Sequence, residues 1–325
     1  MRYIGAIVIT LVLLSLARSL SVTHPKDIHF SADGLTIKHT TVKKIIEGEA
    51  THIPITIQNP QATPLLVTLN WTASAENVGD ISKYDSMAMV PLSETSANTF
   101  CASLPKMSRG STVHYFIKVE DTSGKQLALI PPANERPIKL KYMDKVPPYI
   151  VIPHVFLMFI AVYFATLAFF DSIKAIGTGD RLKQMGRNFK WATVAVFLGG
   201  YPFGWAMNWF AFGSIWEGIP FGWDFTDNKT QIVLLYLIFL NVSMLGTLYE
   251  NRFGKSNYSD KALGWFGLIG YLMVLAIYLI PHSIQFSIPV TAIFSYGLTA
   301  IIISLYIIGL IGKKRWIKGN SPSLP

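Results

Sequence analysis

The sequence predicts a multi-domain membrane protein, an N-terminal all-β sandwich followed by an all-α bundle of five transmembrane helices, and three observations predict it. Of 325 residues, 51% are hydrophobic and only 14% are charged, well under the roughly 25% charged fraction of soluble domains. Up to about residue 147 apolar and polar residues alternate with period two, and beyond it long apolar runs replace the alternation. Basic residues gather in the short segments that separate alternate runs, the distribution that sets orientation across a bilayer.

Residues 1–21 read as a signal peptide. Arg2 supplies a positive start, residues 4–17 an apolar stretch, and Ser15-Leu16-Ala17 a small-x-small cleavage pattern, with Ser19-Leu20-Ser21 as a second one. The stretch is shorter than the roughly 20 residues of a spanning helix, so cleavage is expected, with export of the chain beyond it. The single cysteine, Cys101, leaves no disulfide framework and no cysteine-built zinc or iron–sulfur site. The formal charge of +9 lies largely beside apolar runs, which marks topology and argues against nucleic acid as a partner.

Residues 22–147 are expected to form an extracytoplasmic β-domain. Alternation is clean at residues 52–58, 65–71 and 113–119, with turn clusters between. From residue 87 to 131 the order of elements is Leu104-Pro105, then Gly110, then a strand from Tyr115 to Asp121, then Gly124. This run resembles the second half of bacterial immunoglobulin-like or fibronectin-III-like modules, which implies that fold and no particular chemistry. Five of the seven histidines fall here (His24, His29, His39, His52, His114). A cupredoxin-type copper centre needs cysteine, histidine and methionine in that order; Met107 precedes His114, so solvated loop histidines and a small strand-face thiol are expected.

Residues 148–313 carry the five expected spans, at 150–170, 191–212, 231–249, 263–280 and 288–311, followed by a basic cytoplasmic tail, 314–325. Lys174, Arg181, Lys183, Arg187 and Lys190 separate the first two; Arg252, Lys255 and Lys261 separate the third and fourth; Lys313, Lys314, Arg315 and Lys318 follow the fifth. The other side carries Glu217, Asp224, Asp227 and Lys229. By the positive-inside rule this is a multi-pass protein of the cell (inner) membrane, with its β-domain, its tryptophan-rich loop and the 281–287 turn outside and its C-terminus in the cytoplasm. Within the spans there is no Asp, Glu, Lys or Arg, which argues against a pump or ion-coupled transporter. Asn208 and Asn241 are expected to hydrogen-bond between helices, and Gly199, Gly200, Gly204, Gly264, Gly267 and Gly270 to let helices approach.

Segment 205–230 holds four of the eight tryptophans and three carboxylates between two spans. Two Ile-Pro-His tripeptides, ending at His154 and His282, fall on the same expected side. Neutral histidines on separate helices can supply axial nitrogens to one haem iron. With the order His154, Trp216 to Asp224, His282, and Phe221-Gly222-Trp223-Asp224 followed by Lys229-Thr230, the chain resembles the haem-handling membrane proteins of cytochrome c maturation. In those, an external tryptophan-rich loop ending in Trp-Asp lies between two haem-ligating histidines. The resemblance implies haem b as cofactor, with His154 and His282 as iron ligands, Trp216, Phe221 and Trp223 as a stacking shelf, and Asp224 closing the loop. The chain departs from that pattern in carrying Phe221 where a second tryptophan is usual.

Each feature also has a plain structural reading. The tryptophans suit an interfacial belt, Thr226 or Asp227 suits the N-cap of the third span, and Pro153 and Pro281 suit helix ends. The main alternative to haem handling is therefore a non-enzymatic envelope component or accessory subunit whose β-domain and tryptophan-rich loop dock another membrane or extracytoplasmic protein. No G-x-S-x-G elbow, H-E-x-x-H pair or phosphate-binding glycine loop is present, so nothing in the sequence supports a hydrolase.

Overall fold

The computed structural model describes residues 2–21, 25–32, 34–42, 44–59, 64–92, 98–245, 258–281 and 286–319. The chain divides into two compact units, residues 23–146 with 209–213, and residues 1–22, 147–208 and 214–325.

The first unit is built from strands β1 (Asp27–Ala32), β2 (Leu35–Thr40), β3 (Lys44–Ile46), β4 (Thr51–Gln58), β5 (Leu65–Thr72), β6 (Asp85–Ala88), β7 (Val90–Pro91), β8 (Thr99–Leu104), β9 (Thr112–Asp121), β10 (Gln126–Ile130) and β11 (Ile138–Met143). One sheet runs β1-β2-β4-β8-β7 and the other β3-β11-β9-β5-β6, with β10 also paired to β9. Inward residues of both sheets meet in one core: Ile37, Ile53, Ile55 and Ile57 from the first, and Leu69, Tyr115, Ile117 and Leu140 from the second. Strand β4 shows why the alternation was readable, since its odd-numbered residues Thr51, Ile53, Ile55 and Ile57 are buried and the even ones are not. Period-two burial is what a sheet with one face on a core requires.

Among the described residues of this unit the histidines lie on strands and not in the expected loops, as the alternating runs at 52–58 and 113–119 already implied for His52 and His114; the clear departure from solvent is His39. His29, His39, His52 and His114 all lie on strands, and His39 is fully buried. Its ring makes two bonds, Nδ1 to the Pro54 carbonyl at 2.8 Å and Nε2 to the Tyr115 hydroxyl at 2.9 Å. A carbonyl only accepts, so Nδ1 carries the proton and Nε2 accepts from Tyr115. His24 lies outside the described residues. Cys101 is buried on β8, as a small strand residue would be.

The second unit contains α1 (Arg2–Ser21), α2 (Pro148–Thr178), α3 (Leu182–Leu198), α4 (Gly204–Phe212), α5 (Phe225–Leu245), α6 (Asp260–Leu279) and α7 (Ile288–Gly319), with a π-helical turn, Gly199–Phe203, joining α3 to α4. The end of α4 counts with the first unit. Among the described residues four helices are long and apolar enough to cross a membrane: Arg2–Leu20, Pro148–Thr178, Asp260–Leu279 and Ile288–Gly309. These make the chain a membrane protein in contact with lipid. The expected count of five spans is corrected, because among the described residues the C-terminal region has six helices and only three of the five spans recur among those four.

Each difference has a physical reason. Segment 191–212 is divided because Pro202 has no N–H with which to extend the helical ladder, and the π-helical turn forms around it. Helix α5 starts at Phe225 and so takes Asp227 and Lys229 into its opening turns, while its expected end, 246–249, lies outside the described residues, as do Arg252, Lys255 and residues 320–325. The fourth candidate is α1, a 20-residue helix whose Ala6 and Thr10 are fully buried. The spans carry no charge within their expected bounds, but the helices run beyond those bounds. Helix α2 continues past residue 170 and buries Asp171 completely, and α5 buries Asp227 and Lys229. Pro153, expected at a helix end, stands inside α2.

Candidate functional site

The segment between α4 and α5 is a compact loop framed by its own backbone and by the start of α5. The Gly218 carbonyl accepts from the N–H groups of Phe221 and Gly222, both at 2.9 Å, and the Glu217 carbonyl accepts from Asp224 N–H at 2.8 Å. A side chain at Gly222 would run into the Glu217 carbonyl, so this reversal needs glycine there. From α5, Asp227 Oδ2 accepts from Glu217 N–H and Asn228 Oδ1 accepts from Ile219 N–H, each at 2.7 Å. The Trp216 indole N–H donates to the Ile219 carbonyl at 3.2 Å, and its ring stacks on Tyr201 with centroids 5.5 Å apart.

Asp224 ends the loop and opens the helix. Its Oδ1 accepts from the N–H groups of Thr226 at 2.8 Å and Asp227 at 3.1 Å. That is the capping bond the sequence assigned to Thr226 or Asp227. Asp227 is instead turned inward, where it accepts from Asn208 Nδ2 at 3.2 Å.

Four of the predicted residues, Trp216, Phe221, Trp223 and Asp224, line one cavity of about 360 Å³, and Glu217, Gly222, Phe225 and Phe286 complete its wall. Phe221 stands 84% exposed at its rim, while Trp223, also exposed, meets Tyr296 edge-on at 6.2 Å. His154 does not line this cavity. It sits within α2, partly buried, with Nδ1 2.9 Å from the Gly199 carbonyl at the start of the π-helical turn. His282 lies outside the described residues.

Several polar residues were missed by the sequence reading. Asp171 accepts from Arg2 Nη1 at 2.5 Å and from Asn188 Nδ2 at 2.9 Å, with Arg181 Nη1 at 3.5 Å. Lys229, only 2% exposed, donates to the Ile280 carbonyl at 2.6 Å. Asn228, 1% exposed, leaves its Nδ2 without a partner among the described residues. A signal for the second group existed: Asp227-Asn228-Lys229 lies two residues before an apolar run that starts at Ile232, where helix geometry turns some of three consecutive residues inward. The two expected interhelical amides are found, Asn208 to Asp227 and Asn241 Nδ2 to Thr193 Oγ1 at 2.7 Å.

No protein-family model and no curated protein matches the chain.

Proposed function

We propose that this protein is a non-enzymatic component of the cell envelope whose recognition surface is the aromatic loop between α4 and α5. The observation that carries this reading is a rigid frame holding an exposed tip. At the rim of a cavity, Phe221 keeps 84% of its surface open while the backbone beneath it is fixed by hydrogen bonds. Exposed apolar side chains on a pre-organised loop are what recognition surfaces present, because ordering entropy is spent before the partner arrives. In this reading the loop and the β-domain lie outside the cytoplasm, supported by the Lys and Arg distribution, and the two-sheet unit is an immunoglobulin-like module. A photo-crosslinking amino acid in place of Phe221 tests it in the native host: a discrete adduct is expected, absent when the same residue replaces Ile173 on α2. A pattern identical at both positions would defeat the reading.

A second reading, haem handling, is favoured by one bond. Nδ1 of His154 faces the Gly199 carbonyl, which places the proton there and leaves Nε2 with a lone pair, the arrangement metal-ligating histidines commonly have. His154 therefore suits a haem b iron, with His282 as its proposed counterpart; bound haem would supply electron-transfer chemistry. The proposed shelf suits it less well, because His154 does not line the cavity of Trp216, Phe221 and Trp223, and two carboxylates, Glu217 and Asp224, would face haem propionates there. An absorption spectrum of protein purified from haem-replete cells separates the readings: a low-spin b-type spectrum lost in His154→Ala supports haem, and a colourless protein that also fails to take up added haem excludes it.

A further inference from the structure

The cavity at the loop combines aromatic walls with acidic polar groups. Trp216, Phe221, Trp223, Phe225 and Phe286 line it, and its two charged residues, Glu217 and Asp224, are both carboxylates. Their anchoring leaves acceptor capacity over: Asp224 receives two backbone N–H groups on Oδ1, and Glu217 receives the Ser214 hydroxyl on Oε1 at 2.7 Å, whereas an ionised carboxylate offers about four lone-pair sites. The nearest cation in sequence, Lys229, is no part of the lining and gives its ammonium to the Ile280 carbonyl, although its charge also acts on Asp224.

These features select a ligand by exclusion. Two carboxylates repel anions, and aromatic walls replace the water of a strongly hydrated metal ion poorly. A weakly hydrated organic cation meets both requirements, since ring faces attract it through their quadrupole and the carboxylates balance its charge. A volume of about 360 Å³ stands at the small end of ligand sites. We propose that this cavity binds a small alkylated ammonium group of the choline kind, with the aromatic rings around the methyl groups and Glu217 and Asp224 as counter-charges. The proposal rests on the loop being a recognition surface, and it names the chemistry recognised. A free quaternary amine and a phosphatidylcholine headgroup both carry that group.

The test uses the full chain in a maltoside detergent. Choline is titrated by calorimetry beside 3,3-dimethylbutan-1-ol, its uncharged isostere. Saturable binding of choline alone is expected, weakened about ten-fold by Glu217→Gln, as loss of one close counter-charge implies, and also weakened by Trp223→Ala. Both variants lie on exposed positions, and an unchanged Tm shows that the fold survives. Nanodiscs distinguish the source: choline binding suppressed in phosphatidylcholine but kept in phosphatidylglycerol assigns the site to the lipid headgroup, and binding equal in both assigns it to a free amine. Equal response to choline and its isostere, or affinity untouched by both variants, overturns the proposal. If the Phe221 crosslink persists in that event, only the ligand class falls; if the crosslink is absent too, the recognition surface falls with it.

Discussion

In the sandwich the fully buried side chains are mostly apolar, Ile37, Ile53, Ile55, Ile57 and Leu69 among them, whereas in the helical unit large apolar side chains such as Ile152, Phe156 and Ile293 face outward and Asp171, Asn188, Asp227 and Lys229 lie inside. The two units therefore answer different solvents. Burial of apolar surface from water holds the sandwich together at roughly 25 cal/mol per Å². Lipid gives the helices no such incentive, so their association rests on close packing and on polar groups satisfying one another. Hydrophobicity locates the core of the first unit and the surface of the second.

The largest expected effect breaks the polar side of this comparison. Asp171 is fully buried, while the side chains of its two arginines keep 22% and 42% exposure. Breaking a buried ion pair destabilises by about 3–5 kcal/mol; here the arginines can reach solvent, so Asp171→Ala is expected near about 3 kcal/mol. Asp171→Asn should lose less, because the amide still accepts from Asn188. Melting of the purified protein in detergent checks both, and an Asp171→Ala melt at the parent temperature would show that the ion pair contributes nothing to holding α1, α2 and α3.

The next effect tests packing. A Cβ at Gly267 on α6 would meet the Ser172 hydroxyl and lie 2.8 Å from Met185 Sδ, whereas a Cβ at Gly297 on α7 would meet none of the described residues within 4 Å. Gly267→Val is expected to destabilise by about 1–3 kcal/mol through overpacking, and Gly297→Val to leave the melt within about 0.5 kcal/mol. Valine is the cleaner probe, since alanine gains up to about 1 kcal/mol of helix propensity over glycine and would mask the clash. Equal effects at the two positions would mean that the α2–α6 contact is not close-packed as the glycine series implies.

How much was legible depends on the same contrast. Strands β4, β5 and β9 could be read because one sheet face packs on a core, and period two reports that directly. His39 was missed although its parity was visible: Leu35, Ile37 and His39 share one face of β2 and all are buried. The glycines of α6 were legible as packing because nothing but close approach explains three of them at spacing three. Asp171 was not, since its partner Arg2 lies 169 residues away and the apolar run appeared to end just before it. At the site, Trp216, Phe221, Trp223 and Asp224 came together because they belong to one short loop. Phe286 joins them through tertiary structure alone, and Glu217 was read only as a charge on one side of the membrane.

The smallest expected effect lies in the sandwich, where a buried polar group is neutral and satisfied instead of charged. Burial pushes the His39 pKa below its ordinary 6.5, with the Pro54 carbonyl pulling the other way. Burial does the same to His114, helped by the Lys139 charge. Protonating His39 would also put an N–H against the Tyr115 hydroxyl that now donates to Nε2. The sign comes from linkage: below pH 6.5 the unfolded chain binds more protons than the folded one, so stability is complete above that pH and falls as the pH drops through 6.5 toward the lowered folded values. Residues 24–147, expressed alone, should therefore melt cooperatively with a β-type circular dichroism spectrum and at a lower Tm at pH 5 than at pH 7.5. His39→Gln should lower Tm at pH 7.5 and shrink the difference between the two pH values, because glutamine removes the titration while keeping a polar side chain. A pH difference unaltered by that substitution would remove His39 as its source and leave His114, whose Nδ1 has no hydrogen-bond partner among the described residues, as the group that charges.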